Sequence, residues 1–324
     1  MAEKLNAQQR AAYFAAATRQ YRQQLPSEQV TQGASNMHFQ FPKARLLAHV
    51  GLVCELKVSN MAEGILPHKA LRRIKLDLNN GWSPYTVTGE QLYLKNYIRN
   101  NHIDNLVEKT ADGYKFYLDM PTVLNDNVPN GLYLLQNDTT NVTLTVDVAA
   151  DTELGDNAKI NLVRVSPYLT TFSVPNVAEA MPDISWVKLV MGKNENFAGV
   201  GQNIIKMQVG TIYRQIIFSI KDAAGNPMSL DKITSNIDIV FNQADNPYSI
   251  SAEALRFLNT SMYGQPLPEG TYCFDFSTLQ GGLAGFAGSR DYIDTGKLTE
   301  MWLRFNTSEA GSIDIITETL VKLS

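Results

Sequence analysis

Val142, Leu144, Val146 and Val148 alternate strictly with Asn141, Thr143, Thr145 and Asp147, the period of a strand with one buried and one wet face. Ile74, Leu76 and Leu78 do the same around Lys75 and Asp77, and Met301, Leu303 and Phe305 repeat the pattern, as do Ile313 and Ile315 around Asp314. Turn-forming residues punctuate these runs at Asn80-Gly81, Asp112-Gly113, Gly225-Asn226-Pro227 and Glu269-Gly270. Helical periodicity beyond residue 30 is confined to short pieces such as Glu90–Asn100 and Ala252–Leu258. Many short strands, long loops and few helices predict an all-β protein made of two β-sandwiches.

The N-terminus departs from this pattern. Residues 2–25, rich in Ala, Gln and Arg and stopped by Pro26, read as one helix. Ala7, Ala11, Phe14, Thr18, Tyr21 and Leu25 fall on one face, with Arg10 flanking that stripe on one side and Lys4 and Arg22 on the other. Two readings fit. Aromatics bordered by cations suit a helix lying on a membrane; the same stripe also suits packing against a neighbouring subunit or against the body. Either way the segment reads as an appendage, and deleting residues 1–25 is expected to leave a folded body.

The chain also repeats itself. Ile74–Leu92 (IKLDLNNGWSPYTVTGEQL) matches Ile237–Leu255 (IDIVFNQADNPYSISAEAL), 163 positions on. Ile74, Pro84, Tyr85, Glu90 and Leu92 recur as Ile237, Pro247, Tyr248, Glu253 and Leu255. The block reads as a strand, a loop, a Pro-Tyr turn and a short helix capped by Thr88 or Ser251, with an acid in its first turn. Two flanking matches follow the same order: His49–Gly51 with Gln208–Gly210, and Pro129–Tyr133 with Pro268–Tyr272, at offsets of 159 and 139. The shorter last offset places an extra excursion in the first copy within Lys95–Asn127. Two tandem domains of one kind are the reading. The expected divisions are an arm at 1–28, a first domain at 29–176 and a second at 177–324, with the boundary in Ser173–Pro182.

Composition narrows the function. With 324 residues and 44% hydrophobic content the chain can fill two cores, and it holds no apolar run long enough to span a membrane. MAEKLNAQQR lacks the apolar core of a signal peptide, so Sec-type secretion is not indicated, and four Asn-x-Ser/Thr sequons read as chance. Cys54 and Cys273 sit in apolar runs and read as buried free thiols. Net charge is −4, with Lys4, Arg10, Arg19 and Arg22 against Glu3 in the first 25 residues. The acidic remainder argues against binding nucleic acid along the main surface.

No catalytic motif appears. His38, His49, His68 and His102 are scattered, without metal-ligand spacing. Gly281–Gly288 lacks a phosphate-loop ending, and Asp291, Asp294 and Thr295 lack EF-hand spacing, so both read as loops. No cofactor, metal or catalytic residue is assigned. A tandem carbohydrate-binding or adhesin module, with Trp82 and Trp302 as aromatic candidates, is the alternative, although Trp82 has no counterpart in the second copy. A carbohydrate-active enzyme on the same scaffold stands third, with no positive sign.

An amphipathic arm followed by two β-sandwich copies and no catalytic motif resembles the double jelly-roll major capsid proteins of tailless, membrane-containing icosahedral viruses. The opening MAEKLNAQQRAAYFAAATRQYRQQLPSEQVTQGASNMHFQFPKARLLAHVGL looks particularly like the lipid-containing Flavobacterium phage (Finnlake-virus type) branch. That resemblance implies two eight-stranded jelly rolls side by side and homotrimeric, pseudo-hexameric capsomers tiling a shell. It implies minor capsid and vertex proteins as further partners, and a virion location after synthesis in the host cytoplasm. It also implies an arm, carrying Lys4, Arg10, Phe14, Arg19, Tyr21 and Arg22, against an internal membrane or the inner surface. No specific nucleic-acid binding is expected.

Overall fold

The computed structural model describes residues 7–79, 81–99, 107–124, 130–136, 141–277 and 292–322. The chain divides into two compact units, Met1–Leu189 with Lys322–Ser324, and Val190–Val321. The division falls later than the expected 176/177. The reason is local: Val174, Met181 and Ile184, from the segment between the domains, pack with Phe14, Leu46 and Leu132 of the first unit.

The first unit carries α1 (Ala7–Ala17), β1 (Gln20–Gln24), β2 (Glu28–Val30), β3 (Asn36–Gln40), β4 (Leu46–Ser59), β5 (Leu71–Leu78) and β6 (Trp82–Val87). It continues through α2 (Gly89–Arg99), β7 (Val107–Thr110), β8 (Gly113–Pro121), β9 (Tyr133–Leu134), β10 (Val142–Val148) and β11 (Lys159–Phe172). One sheet runs β3-β10-β5-β6. In the other, β1 and β2 both pair with β11, followed by β4, β8 and β7, with β9 also on β4. Alternation settles which face is core: Val142, Leu144, Val146 and Val148 are buried while the residues between them are half-buried.

β12 (Trp186–Phe197) leads into the second unit, which continues β13 (Gly201–Met207), β14 (Ile212–Asp222), β15 (Asn236–Phe241), β16 (Asp245–Ser251), α3 (Ala252–Tyr263), β17 (Thr271–Asp275), β18 (Ile293–Asp294), β19 (Met301–Thr307) and β20 (Gly311–Lys322). Its sheets are β13-β19-β15-β16 and β12-β20-β14-β17, with β18 on β14. Ile205, Ile239 and Leu303 of one sheet form a core with Ile216, Phe218, Phe274 and Ile315 of the other. In both units successive strands pass back and forth between two antiparallel sheets of four main strands. This is the jelly roll, present twice.

The units correspond strand for strand. Leu76 faces Tyr85 and Ile74 faces Val87; 163 positions on, Ile239 faces Tyr248 and Ile237 faces Ile250. Both copies cap the following helix as expected: Gln91 N donates to Thr88 Oγ1 at 3.1 Å, and Ala254 N to Ser251 Oγ at 3.2 Å. The register of β4 in β11 breaks at Ala48, and that of β14 in β20 breaks at Arg214.

Three expectations need correcting. The Pro-Tyr pair is not a turn, because Pro84 and Pro247 lie inside β6 and β16; at Pro247 the missing N–H is tolerated because β16 is the edge of its sheet. The flanking matches are not structural equivalents. Leu46 and Gly51 occupy the ladder places of Ile212 and Ile217, so Gln208–Gly210 precedes the strand that would answer His49–Gly51. By the same ladders Tyr133 corresponds to Ile293, not to Tyr272. The longer excursion in the first copy is real, and its described part is the β7-β8 hairpin.

The third correction concerns the arm. Its helix ends at Ala17, where Thr18 turns back to donate N and Oγ1 to the Phe14 carbonyl at 3.0 and 2.7 Å. Residues 20–24 then form β1, in five-residue register with β11. The free edge of β11 offers backbone partners that outweigh a helical propensity summed over Gln and Arg. The Arg45 guanidinium lies 3.7 Å over the Tyr21 ring and fixes the strand further.

Candidate functional site

The arm residues separate once folded. Lys4 lies outside the described residues. Phe14 is 4% exposed, packed with Leu46, Ala48, Val123 and Leu132 and edge-on to Phe172 at 5.3 Å. It therefore belongs to the core of its own unit, and only Tyr13, on the other side of α1, is an exposed ring there. Arg10 is exposed; Arg19 exchanges backbone bonds with Ser173, its N–H donating to Ser173 Oγ at 2.9 Å. Tyr21 is half-buried under Arg45. Arg22 lines a concave site.

That site is a cleft of about 480 Å³ on the outer face of the β1-β11-β4-β8 sheet, lined by Gln20, Arg22, His49, Gly51, Val53, Tyr117, Asp119, Tyr168, Leu169 and Thr170. Strand alternation makes it: positions 49, 51 and 53 of β4 share a face with 117 and 119 of β8 and with 168 and 170 of β11. Gly51 forms the floor, and a Cβ there would collide with the Tyr117 ring that lies across it.

Asp119 is the electrostatic centre. Arg99 Nη1 reaches its carboxylate at 3.1 Å and His49 Nδ1 at 3.4 Å. Its peptide is clamped by α2: Asp119 N donates to Asn96 Oδ1 at 2.7 Å, and Asn96 Nδ2 donates to the Asp119 carbonyl at 2.8 Å. Burial, with the Asp119 charge second, pushes the Tyr117 phenol up to about 12, so it stays a neutral hydroxyl. A carboxylate held by two donors in this way holds geometry and hydrogen-bonds its neighbours.

The other candidates resolve as structural. Asp294 Oδ1 accepts from Gly296 N at 2.8 Å, and Thr295 Oγ1 bonds the backbone of Thr211, so these residues build a turn; Asp291 and Gly281–Gly288 lie outside the described residues. Among the described residues no three His, Cys, Asp or Glu side chains converge on a metal-sized site, and no helix is long and apolar enough to cross a membrane. Cys54 and Cys273 are buried and free, and Trp82 and Trp302 are each half-buried.

Two features escaped the sequence reading. Asn259, 163 positions beyond Asn96, makes the same clamp: Cys273 N donates to its Oδ1 at 2.9 Å and its Nδ2 to the Cys273 carbonyl at 2.8 Å. Carrying the repeat four residues past Leu92 and Leu255 would have found it. His68, fully buried in the short 3₁₀ turn Pro67–Ala70, carries no sequence signal that separates it from a surface histidine.

No family model matches the sequence, and no curated protein sequence does. Solved structures match over nearly the whole chain. The major capsid protein of STIV, the Sulfolobus turreted icosahedral virus, aligns with a TM-score of 0.70 at 12% identity, covering 94% of this chain and 97% of that one. The major capsid protein P2 of bacteriophage PM2 aligns at 0.61 and 11% identity, covering 94% and 98%. PBCV-1 Vp54 aligns at 0.67 and 10% identity, covering 95% of each chain. At this identity the likeness is one of fold, and the fold is the double jelly roll.

Proposed function

We propose that this chain is a structural shell protein, the major capsid protein of an icosahedral, membrane-containing virus, acting by self-assembly rather than catalysis. The observation that carries the reading is the strand-for-strand correspondence of the two units, over the same length as the capsid proteins of STIV and bacteriophage PM2. A duplicated barrel gives a trimer six similar blocks around a three-fold axis, a shape that tiles a surface. Closed sandwiches also leave few free edges for disordered aggregation. Trimers in a capsid lattice, an internal membrane beneath it, minor and vertex proteins and a virion location all belong to this proposal. With Phe14 in the core, lipid contact by the described residues of the arm falls to Tyr13 and the exposed arginines 10, 19 and 22.

Light scattering of the purified protein with negative-stain images of the same peak tests it. A particle of about three times the 36.0 kDa chain mass with a hexagonal outline is expected. A monomer at every concentration and salt tested, which never assembles, overturns it.

A further inference from the structure

The barrel itself does not require the cleft over Gly51. Because the two units share one ladder, each position around it has a counterpart in the second unit: Ile217 for Gly51, Thr271 for Tyr117, Cys273 for Asp119 and Ile316 for Tyr168. Those four residues are buried, none more than 5% exposed. A jelly roll in this register is therefore built without a glycine floor and without a tyrosine on either side of it. In the first unit the same places enclose about 480 Å³, within the roughly 300–1,000 Å³ of small-ligand sites, and Tyr168 at the side is 38% exposed.

Losing the side chain at position 51 lets Tyr117 lie down. Its Cε2 and Cζ come within 2.8 and 2.9 Å of the place a Cβ would take, so the ring passes over the glycine instead of standing off the sheet. The side of the ring away from the backbone borders the cleft, where it offers a flat aromatic surface. The rim is polar. β1 brings Gln20 and Arg22, β11 brings Thr170 and β8 brings Asp119. Arg99 and His49 both reach Asp119 Oδ2, so Oδ1 keeps acceptor capacity, and the carboxylate is still 14% exposed.

A ligand for this cleft needs an apolar face for the ring and, around its edge, groups that both donate and accept hydrogen bonds. A sugar ring has both, in its C–H face and its hydroxyls. We propose that the cleft is a saccharide site, taking an uncharged pyranose with its C–H face on Tyr117 and Tyr168 and its hydroxyls on Asp119, Gln20 and Arg22. The Asp119 carboxylate in the wall disfavours a phosphate-bearing ligand by like-charge repulsion. The arm takes part, because Gln20 and Arg22 reach the rim only when β1 is paired with β11.

The site lies within the first unit and needs no partner chain, so its failure and that of the shell reading are separate. Saturation-transfer difference NMR on the full chain, with methyl β-glucoside, methyl α-mannoside and methyl β-galactoside as probes, tests it. Transfer to the ring C–H protons of at least one probe is expected. Tyr168→Ala removes a partly exposed ring, should melt with the wild type, and should weaken binding about tenfold, whereas Tyr168→Phe should keep it. Gly51→Ala meets only the mobile end of the Tyr117 side chain, so the variant should fold with the ring displaced and bind about tenfold more weakly. No transfer to any of the three probes overturns the proposal. Transfer that survives both Tyr168→Ala and Gly51→Ala also overturns it, because the sugar then binds elsewhere. Transfer to adenosine with none to the sugars overturns it in favour of a nucleobase.

Discussion

His68 makes the first unit acid-sensitive. It is 1% exposed, and neither ring nitrogen has a hydrogen-bond partner. The ring stacks on Tyr93 at 4.3 Å between centroids and meets the edge of Phe116 at 4.6 Å. Burial lowers its pKa from 6.5 to about 3. A proton placed there has no anion or acceptor to meet it, so the folded unit resists protonation that the unfolded chain accepts. Because the folded pKa is depressed, the unfolded state binds more protons between the two values. Stability is thus held above pH 6.5 and lost as the pH falls toward 3. At pH 5 the loss is about 2 kcal/mol, and it approaches roughly 5 kcal/mol at the bottom of the window.

For a unit of this size 2 kcal/mol corresponds to roughly 4–8 °C in Tm. The assay is a thermal melt at half-unit steps from pH 7 to pH 5, comparing the wild type with His68→Phe and His68→Leu. Every other titratable group is common to the three proteins, so the difference between curves isolates His68. The wild type should fall away from both variants as the pH drops, and the variants should stay parallel to each other. Curves that run parallel for all three would refute the reasoning, because they would mean the ring is protonated in the folded unit at little cost, through water or a rearranged partner.

Three further outcomes are expected. Asn96→Ala leaves the buried N–H and carbonyl of Asp119 unpaired and should cost about 2–4 kcal/mol; Asn259→Ala should cost a similar amount through Cys273, and urea unfolding showing either variant unchanged would mean the clamp is not needed. Phe14→Ala should cost about 3 kcal/mol of local packing and free α1, read as rapid tryptic cleavage at Arg10 with the remainder intact; cleavage as slow as in the wild type would mean α1 does not depend on that ring. Gly89→Ala places a Cβ against the His68 carbonyl oxygen and should cost on the order of 2 kcal/mol, whereas Ala252→Gly at the equivalent place should cost no more than about 1, and equal costs would contradict the difference in packing.

The arm shows where reading a stripe of residues fails. Phe14, Tyr21 and Leu25 align on a helical wheel, and the sequence held nothing to reveal that β11 has a free edge five residues long. Pairing with that edge turns residues 20–24 into a strand, and Phe14 is drawn into the body with Phe172. Removing residues 1–25 would strip β1 from β11 and empty the Phe14 site, a cost that the expectation of a folded, soluble body did not count. Two tandem β-sandwiches were legible, because alternating apolar runs and one strong internal match survive any error in where strands pair; their jelly-roll topology came from the family resemblance alone.

The duplication was legible for a narrower reason than three collinear matches suggested. Only the central block holds in the structure, and it holds because Thr88 and Ser251, and Asn96 and Asn259, each satisfy a backbone requirement that both units share. The strands that build the rest of the sandwich have no such requirement. Leu46–Gly51 and Ile212–Ile217 occupy the same ladder positions, down to the break at Ala48 and Arg214, with no identical residue between them. A buried strand asks only for apolar residues of suitable size at alternate places, so its sequence drifts while its register stays. Short identities such as Val-Gly, or Pro and Gly before Tyr, arise freely in such a chain and do not mark equivalent positions. What the copies have kept is the inner half of the hairpin-and-helix device; what they have changed is its outer half, buried in one and bare in the other. Fold requirements fix the first half in both copies, and the second half follows what each barrel packs on it: in the first unit His68 of the Pro67–Ala70 turn stacks on Tyr93, whereas Arg256 at the equivalent place in the second unit is exposed.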